Sequence, residues 1–203
     1  MGFGAVYLCK DTYYRYIVSK KENLIYLINI YNHRLRLNKT QKRYINWVKS
    51  FNQYYNYDLQ VDNVFNQINL NDAWLSGFID AEGCFSASQR SGRSSFRMRF
   101  TLKQKDEYEK LLEIKNIWCE KIDLLKHKDI AILSMDTLKS LKYLISYLKQ
   151  FPLKSNKNIA YNKWLKLYRV VEEGGRGKSY EEIKLMAQNI NKFENEDKVQ
   201  KNI

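Results

Sequence analysis

A chain of 203 residues with 44% hydrophobic content is long enough for one or two compact units with real cores, which excludes wholesale disorder. A formal charge of +13 and a pI near 9.5 point to a polyanionic partner, and 16 Tyr and 4 Trp interleaved with Lys and Arg favour nucleic acid over a membrane surface. Three cysteines without CxxC spacing and only two histidines argue against a zinc site or a disulfide framework, and no apolar run approaches the roughly 20 residues that cross a bilayer.

The N-terminal stretch MGFGAVYLCKD has neither the order of a secretory signal nor the Arg-rich pattern of a transit peptide, so a chain working in an organelle is expected to be made there. Tyr7, Lys10, Tyr13 and Arg15 fall in predicted strands. Tyr26-Leu27-Ile28, Leu35-Arg36-Leu37-Asn38-Lys39 and Trp47-Val48-Lys49 then read as an amphipathic helix, a basic turn and a second helix. The same order recurs as Tyr143-Leu144-Ile145, Leu153-Lys154-Ser155-Asn156-Lys157 and Trp164-Leu165-Lys166, offset by 117 or 118 residues. That arithmetic places Met1 at about residue 118 of the second copy. The expectation is a truncated first unit over residues 1–52, lacking the counterpart of residues 70–117.

Between Asn52 and Asn69 periodicity is lost and Asn and Tyr dominate, which predicts a linker over residues 53–69. Asn71 or Asp72 can then cap a helix that ends near Gly83. Ala73, Gly77 and Ala81 fall four apart, so one helix face is flat enough for a partner helix to approach closely. Trp74 and Phe78 lie on the opposite face. Glu82 stands at the negative end of the helix dipole, an unfavourable place for a carboxylate unless a cation such as Mg²⁺ compensates.

Leu75-Ser76-Gly77-Phe78-Ile79-Asp80-Ala81-Glu82-Gly83 resembles, position by position, the motif that names the LAGLIDADG endonucleases. Ser76, Phe78 and Glu82 replace the name-giving residues with ones of similar size or charge. The resemblance implies an α+β fold of αββαββα units with an antiparallel saddle of strands over the nucleic acid, here one complete unit, residues 70–172, after half of a preceding one. It implies that Glu82 holds a divalent metal, Mg²⁺, for phosphodiester hydrolysis. It also implies that Lys154 stabilises developing charge or polarises the attacking water, and that Gln104 positions solvent. Arg36 takes the place of Lys154 in the first copy, where only an electrostatic role survives.

Beyond the motif, Ser86, Ser88, Arg90, Arg93, Ser94, Arg97 and Arg99 form a basic, hydroxyl-rich hairpin around Gly92 suited to base edges or phosphates. Period-2 alternation sets Arg97 and Arg99 against an apolar face of Phe96, Met98 and Phe100. Residues 173–203 read as a surface helix and a tail.

The leading expectation is an intron-encoded homing endonuclease, or a fragment of one, acting on a long double-stranded DNA site. Its second motif would come from an N-terminal partner fragment or a homodimer. The alternative is a non-catalytic maturase that grips group I intron RNA with the same basic saddle. An inert relic is the third reading. The Lys-, Asn-, Ile- and Tyr-rich composition fits an A·T-rich organellar, mitochondrial genome.

Overall fold

Two units divide the chain, Met1–Gln67 and Ile68–Ile203. The computed structural model describes residues 2–10, 12–61, 67–90, 95–118 and 122–192. Both units are α+β with antiparallel sheets, as the sequence leads one to expect.

The first unit begins with strands β1 (Ala5–Cys9) and β2 (Tyr13–Ile17), paired antiparallel with Tyr7 opposite Arg15. Helices α1 (Lys21–Tyr31) and α2 (Asn38–Tyr55) follow. Their core is Ile28, Tyr44, Val48 and Phe51, flanked by Leu24, Leu35, Trp47 and Leu59. The Tyr44 hydroxyl donates to the Ile28 carbonyl at 2.9 Å, which fixes α2 against α1. Helix α2 stops at Asn56, whose φ of +47° is the left-handed conformation that Asn tolerates at a helix end. Past that point the Asn52 amide donates to the Leu59 carbonyl and accepts from the Leu59 N–H, both at 3.0 Å. The start of the expected linker is therefore folded onto α2, because Leu59 and Val61 supply apolar cover that the loss of periodicity concealed.

In the second unit the order is α3 (Trp74–Glu82), β3 (Gly83–Gln89), β4 (Phe96–Lys105), α4 (Tyr108–Trp118), β5 (Asp123–His127), β6 (Ile130–Met135), α5 (Leu138–Gln150), α6 (Lys157–Glu172) and α7 (Tyr180–Asn189). The sheet runs β3-β4-β6-β5. Its alternation is strict on β4: Phe96, Met98, Phe100 and Leu102 are buried, while Arg97, Arg99, Thr101 and Lys103 face outward. Leu133 and Met135 of β6 join the buried side, under Leu111 and Ile114 of α4, Leu141 and Leu144 of α5, and Trp164 of α6. Burial of this helix layer pushes the Tyr161 and Tyr168 hydroxyls up to about 12.

The elements β1–β2–α1–α2 and β5–β6–α5–α6 repeat one order at the offset read from the sequence. Helix α7 opens on a capping box, with Ser179 and Glu182 exchanging side-chain and backbone bonds. It packs on β3, with Ile183 and Ile190 buried, so residues 173–192 belong to the second unit and are more than a surface helix. The Asn191 amide and the Trp164 indole N–H donate to the carbonyls of Phe85 and Ser86, both at 3.1 Å, covering the edge strand β3.

Candidate functional site

The Asp72 carboxylate, one of the two expected caps, accepts the Trp74 N–H at 2.9 Å at the start of α3, while Ala73 holds the capping position itself. Asn71 instead turns back to the side chain of Asn69. Leu75 and Ile79 are fully buried, and Trp74 stacks on Phe78 with ring centroids 5.3 Å apart, so the core-facing side of α3 is broader than those two aromatics. The Tyr147 hydroxyl donates to the Asp72 carbonyl at 2.8 Å and accepts the Ser76 N–H at 2.9 Å, tying α3 to α5.

On the other side Ala73, Gly77 and Ala81 are all exposed. A Cβ added at Gly77 would meet nothing within 4 Å, so no packing within the chain requires glycine there. At Gly83 the opposite holds: a Cβ would stand 2.7 Å from the Ile79 carbonyl oxygen, and glycine alone permits the strand to leave the helix at that point.

Asp80 and Glu82, two residues apart, do different things. The Asp80 carboxylate accepts the N–H groups of Lys154 and Ser155 at 2.9 Å and the Ser155 hydroxyl at 2.5 Å, clipping the turn before α6 to the motif helix. Glu82 is exposed. The cation that meets the end of α3 is Lys157, which sequence reasoning did not single out; its ammonium donates to the carbonyls of Ala81 at 3.1 Å and Gly83 at 2.6 Å. That position offsets the negative end of the helix dipole beside Glu82. Lys154 approaches the motif through its backbone N–H while its side chain is exposed. The repeat held the signal: Leu, Asn and Lys recur at the first, fourth and fifth positions of 35–39 and 153–157, so Lys157 matches Lys39, whereas Lys154 faces Arg36.

Gln104 lies near the end of β4. It is 5% exposed and lies on the core side of β4 in line with Phe100 and Leu102, because period-2 alternation carries that face through to the strand end. Thr101, opposite Cys84, and Lys103 are the outward-facing β4 residues that flank Leu102, the partner of Gly83 where the motif enters the sheet.

The outward face is defined by register. Ser88 lies opposite Arg97 and Ser86 opposite Arg99. One rung crosses all four strands as Cys84, Thr101, Ser134 and Asp123, and the next carries Lys103, Ile132 and Leu125. The Arg97 guanidinium is paired with Asp136. A cleft of about 760 Å³ opens there, lined by Ser88, Arg90, Arg97, Arg99, Asp136 and Thr137 among others. Arg90 is exposed and its N–H donates to the Ser95 carbonyl at 2.9 Å. Arg93 and Ser94, with Gly92, lie outside the described residues. Arg36 is half-buried in the turn before α2 of the first unit. Among the described residues no group of three or more His, Cys, Asp or Glu could hold a metal ion, and no helix is long and apolar enough to cross a membrane.

Residues 75–168 match the profile of the LAGLIDADG endonucleases. A Neurospora crassa protein named "Probable intron-encoded endonuclease 4" is 35% identical over 161 residues, covering 77% of this chain and 29% of that protein. A Schizosaccharomyces pombe protein named "Uncharacterized cox1 intron-2 37.2 kDa protein" is 28% identical over 182 residues, covering 85% of this chain and 54% of that one. The chain thus spans about half or less of these relatives. Among solved structures, the meganuclease I-SmaMI bound to DNA superposes with a TM-score of 0.76 at 14% identity, covering 94% of this chain and 80% of its own. The meganuclease I-AabMI bound to uncleaved DNA gives 0.52 at 24% identity, covering 66% and 48%.

Proposed function

We propose that the chain, whose residues 75–168 match the profile of the LAGLIDADG endonucleases, is a member of that family, binds a long double-stranded DNA site and contributes one half of a divalent-metal hydrolytic centre. The observation that carries this reading is the end of α3, where exposed Glu82 stands beside Lys157 on a helix whose small-residue face is open. Its carboxylate is a hard oxygen donor of the kind Mg²⁺ takes, and because no group of three or more His, Cys, Asp or Glu among the described residues could hold the ion, it calls for a second carboxylate from another motif. The bound ion would supply Lewis-acid stabilisation of a phosphate oxygen and an acidified water.

The chain's own residues do the positioning. Lys157 places a cation at the helix end beside Glu82, and Asp80 fixes the turn that delivers both Lys154 and Lys157. The second motif would come from an N-terminal partner fragment or a second copy packing on Ala73, Gly77 and Ala81. Ser86, Ser88, Arg90, Arg97 and Arg99 would meet bases and phosphates, and Arg97, held by Asp136, presents a fixed guanidinium edge. Like the relative named for a cox1 intron, the protein would be encoded in an intron of a mitochondrial genome.

The test is cleavage of an intron-insertion-site duplex by the chain alone, by the chain mixed with an upstream motif-bearing fragment, and by Glu82→Gln. Metal-dependent cutting that needs the second motif, and that E82Q abolishes with binding retained, is expected. No cutting in any mixture sinks the enzyme reading, and recovery of intron RNA by crosslinking would then make the protein a maturase.

A further inference from the structure

The outward face of the second sheet changes chemistry along its length. Around the tips of β3 and β4 it carries Ser86, Ser88, Arg97 and Arg99. Toward the end where Gly83 enters the ladder it carries Leu125, Ile132 and Ile130 instead, with Leu125 directly opposite Ile132. Leu125 is 63% and Ile130 41% exposed, a wasteful display on a strand pair whose other face already reaches the core. Ile132 lies opposite Lys103 and Ile130 opposite Lys105, so the apolar patch is bordered by two β4 lysines, of which Lys105 is ion-paired with Asp129 at 2.8 Å.

An apolar patch beside cations on a face of this shape matches one feature of duplex DNA. In the major groove the thymine C5-methyl is the apolar group that a base pair offers, next to phosphates that Lys103 would engage. We propose that Leu125, Ile130 and Ile132 are specificity-determining residues that read thymine methyl groups in the base pairs nearest Glu82. This rests on the DNA-binding reading above and adds to it the base identity that the inner part of the site must contain. The arginine-bearing end, about six residues further along β4 and so roughly 20 Å away, reads a different sub-site.

The experiment uses the full chain and duplexes selected from a randomised pool, with each recovered thymine then replaced in turn by deoxyuridine, which removes only the methyl. The wild type is expected to lose affinity at two or three adjacent positions, roughly fourfold for each methyl removed, the worth of one buried methyl group. In Leu125→Ser and Ile132→Ser, whose folding is checked by thermal unfolding, the thymine-to-uracil ratio at those positions should fall to about one. An unchanged ratio in both variants overturns the assignment while leaving DNA binding intact. Loss of self-association in the variants with that ratio unchanged gives the patch to a protein contact instead. Failure of the wild type to retain any duplex at low salt removes the DNA-binding reading together with this one.

Discussion

The segments β1–β2–α1–α2 and β5–β6–α5–α6 share one order of elements and differ in what lies against their strands. Leu133 and Ala131 of β6 are 0% and 1% exposed, whereas Tyr16 and Tyr14, 117 residues earlier on β2, are 51% and 73% exposed. Strand β6 is flanked by β4 and β5; among the described residues β2 pairs with β1 alone. The helix pair of the first unit nevertheless has its own core in Ile28, Tyr44, Val48 and Phe51. Helices close their backbone hydrogen bonds locally and need only one apolar stripe covered, while a strand depends on neighbours that come from far along the chain.

Truncating the tryptophans that stand at matching places should expose this difference most strongly. Trp164→Ala removes a fully buried ring that also bonds the edge strand, and should cost about 3–5 kcal/mol, enough to unfold much of the second unit. Trp47→Ala, at a half-buried place on α2, should cost clearly less in the same urea titration followed by circular dichroism. Equal losses would break the comparison. A strand pair sharpens it: Leu133→Ala should lose about 2–5 kcal/mol, and Tyr14→Ala should stay within about 0.5 kcal/mol.

The clip between α3 and the turn before α6 belongs to the second unit, and Asp80→Ala should remove about 1–3 kcal/mol, the worth of hydrogen bonds from the Lys154 and Ser155 N–H groups to a charged acceptor. Thermal unfolding measures it, and a variant as stable as the parent would reduce Asp80 to a bystander.

The smallest effect is on alkaline stability. Tyr161 and Tyr168 have folded values raised from 10.0 to about 12, so the stability tied to their neutral form is complete below pH 10 and is lost as pH rises toward 12. Burial also raises Tyr44 in the first unit, so both helix layers should weaken on that side. Phenylalanine at 161 should flatten the slope of stability against pH between 10 and 12, and an unaltered slope would assign the loss to other groups.

Much of the site was legible before any fold was seen. The motif from Leu75 to Gly83, the alternation of Arg97 and Arg99 against Phe96 and Met98, and the repeat at 117 or 118 residues are local or periodic patterns, and periodicity is written into the sequence by which face is buried. The face of Gln104 was not legible, because a polar residue near a strand end does not declare its side until the register is fixed, and the register places it on the core side. Lys157 escaped because its role is a contact between segments 74 residues apart, even though the repeat preserved its identity.

By itself, then, the sequence determined the family resemblance, the order of elements, the basic charge and the acid at the end of the motif helix. Only the tertiary structure decided which of two neighbouring carboxylates is tied up in hydrogen bonds, which lysine meets the helix end, and which apolar strand residues are left facing outward. The physical reason is one of range. Helix and strand periods follow from the next few residues, whereas a hydrogen bond to a turn or a rung across four strands depends on which distant segments the packing brings together.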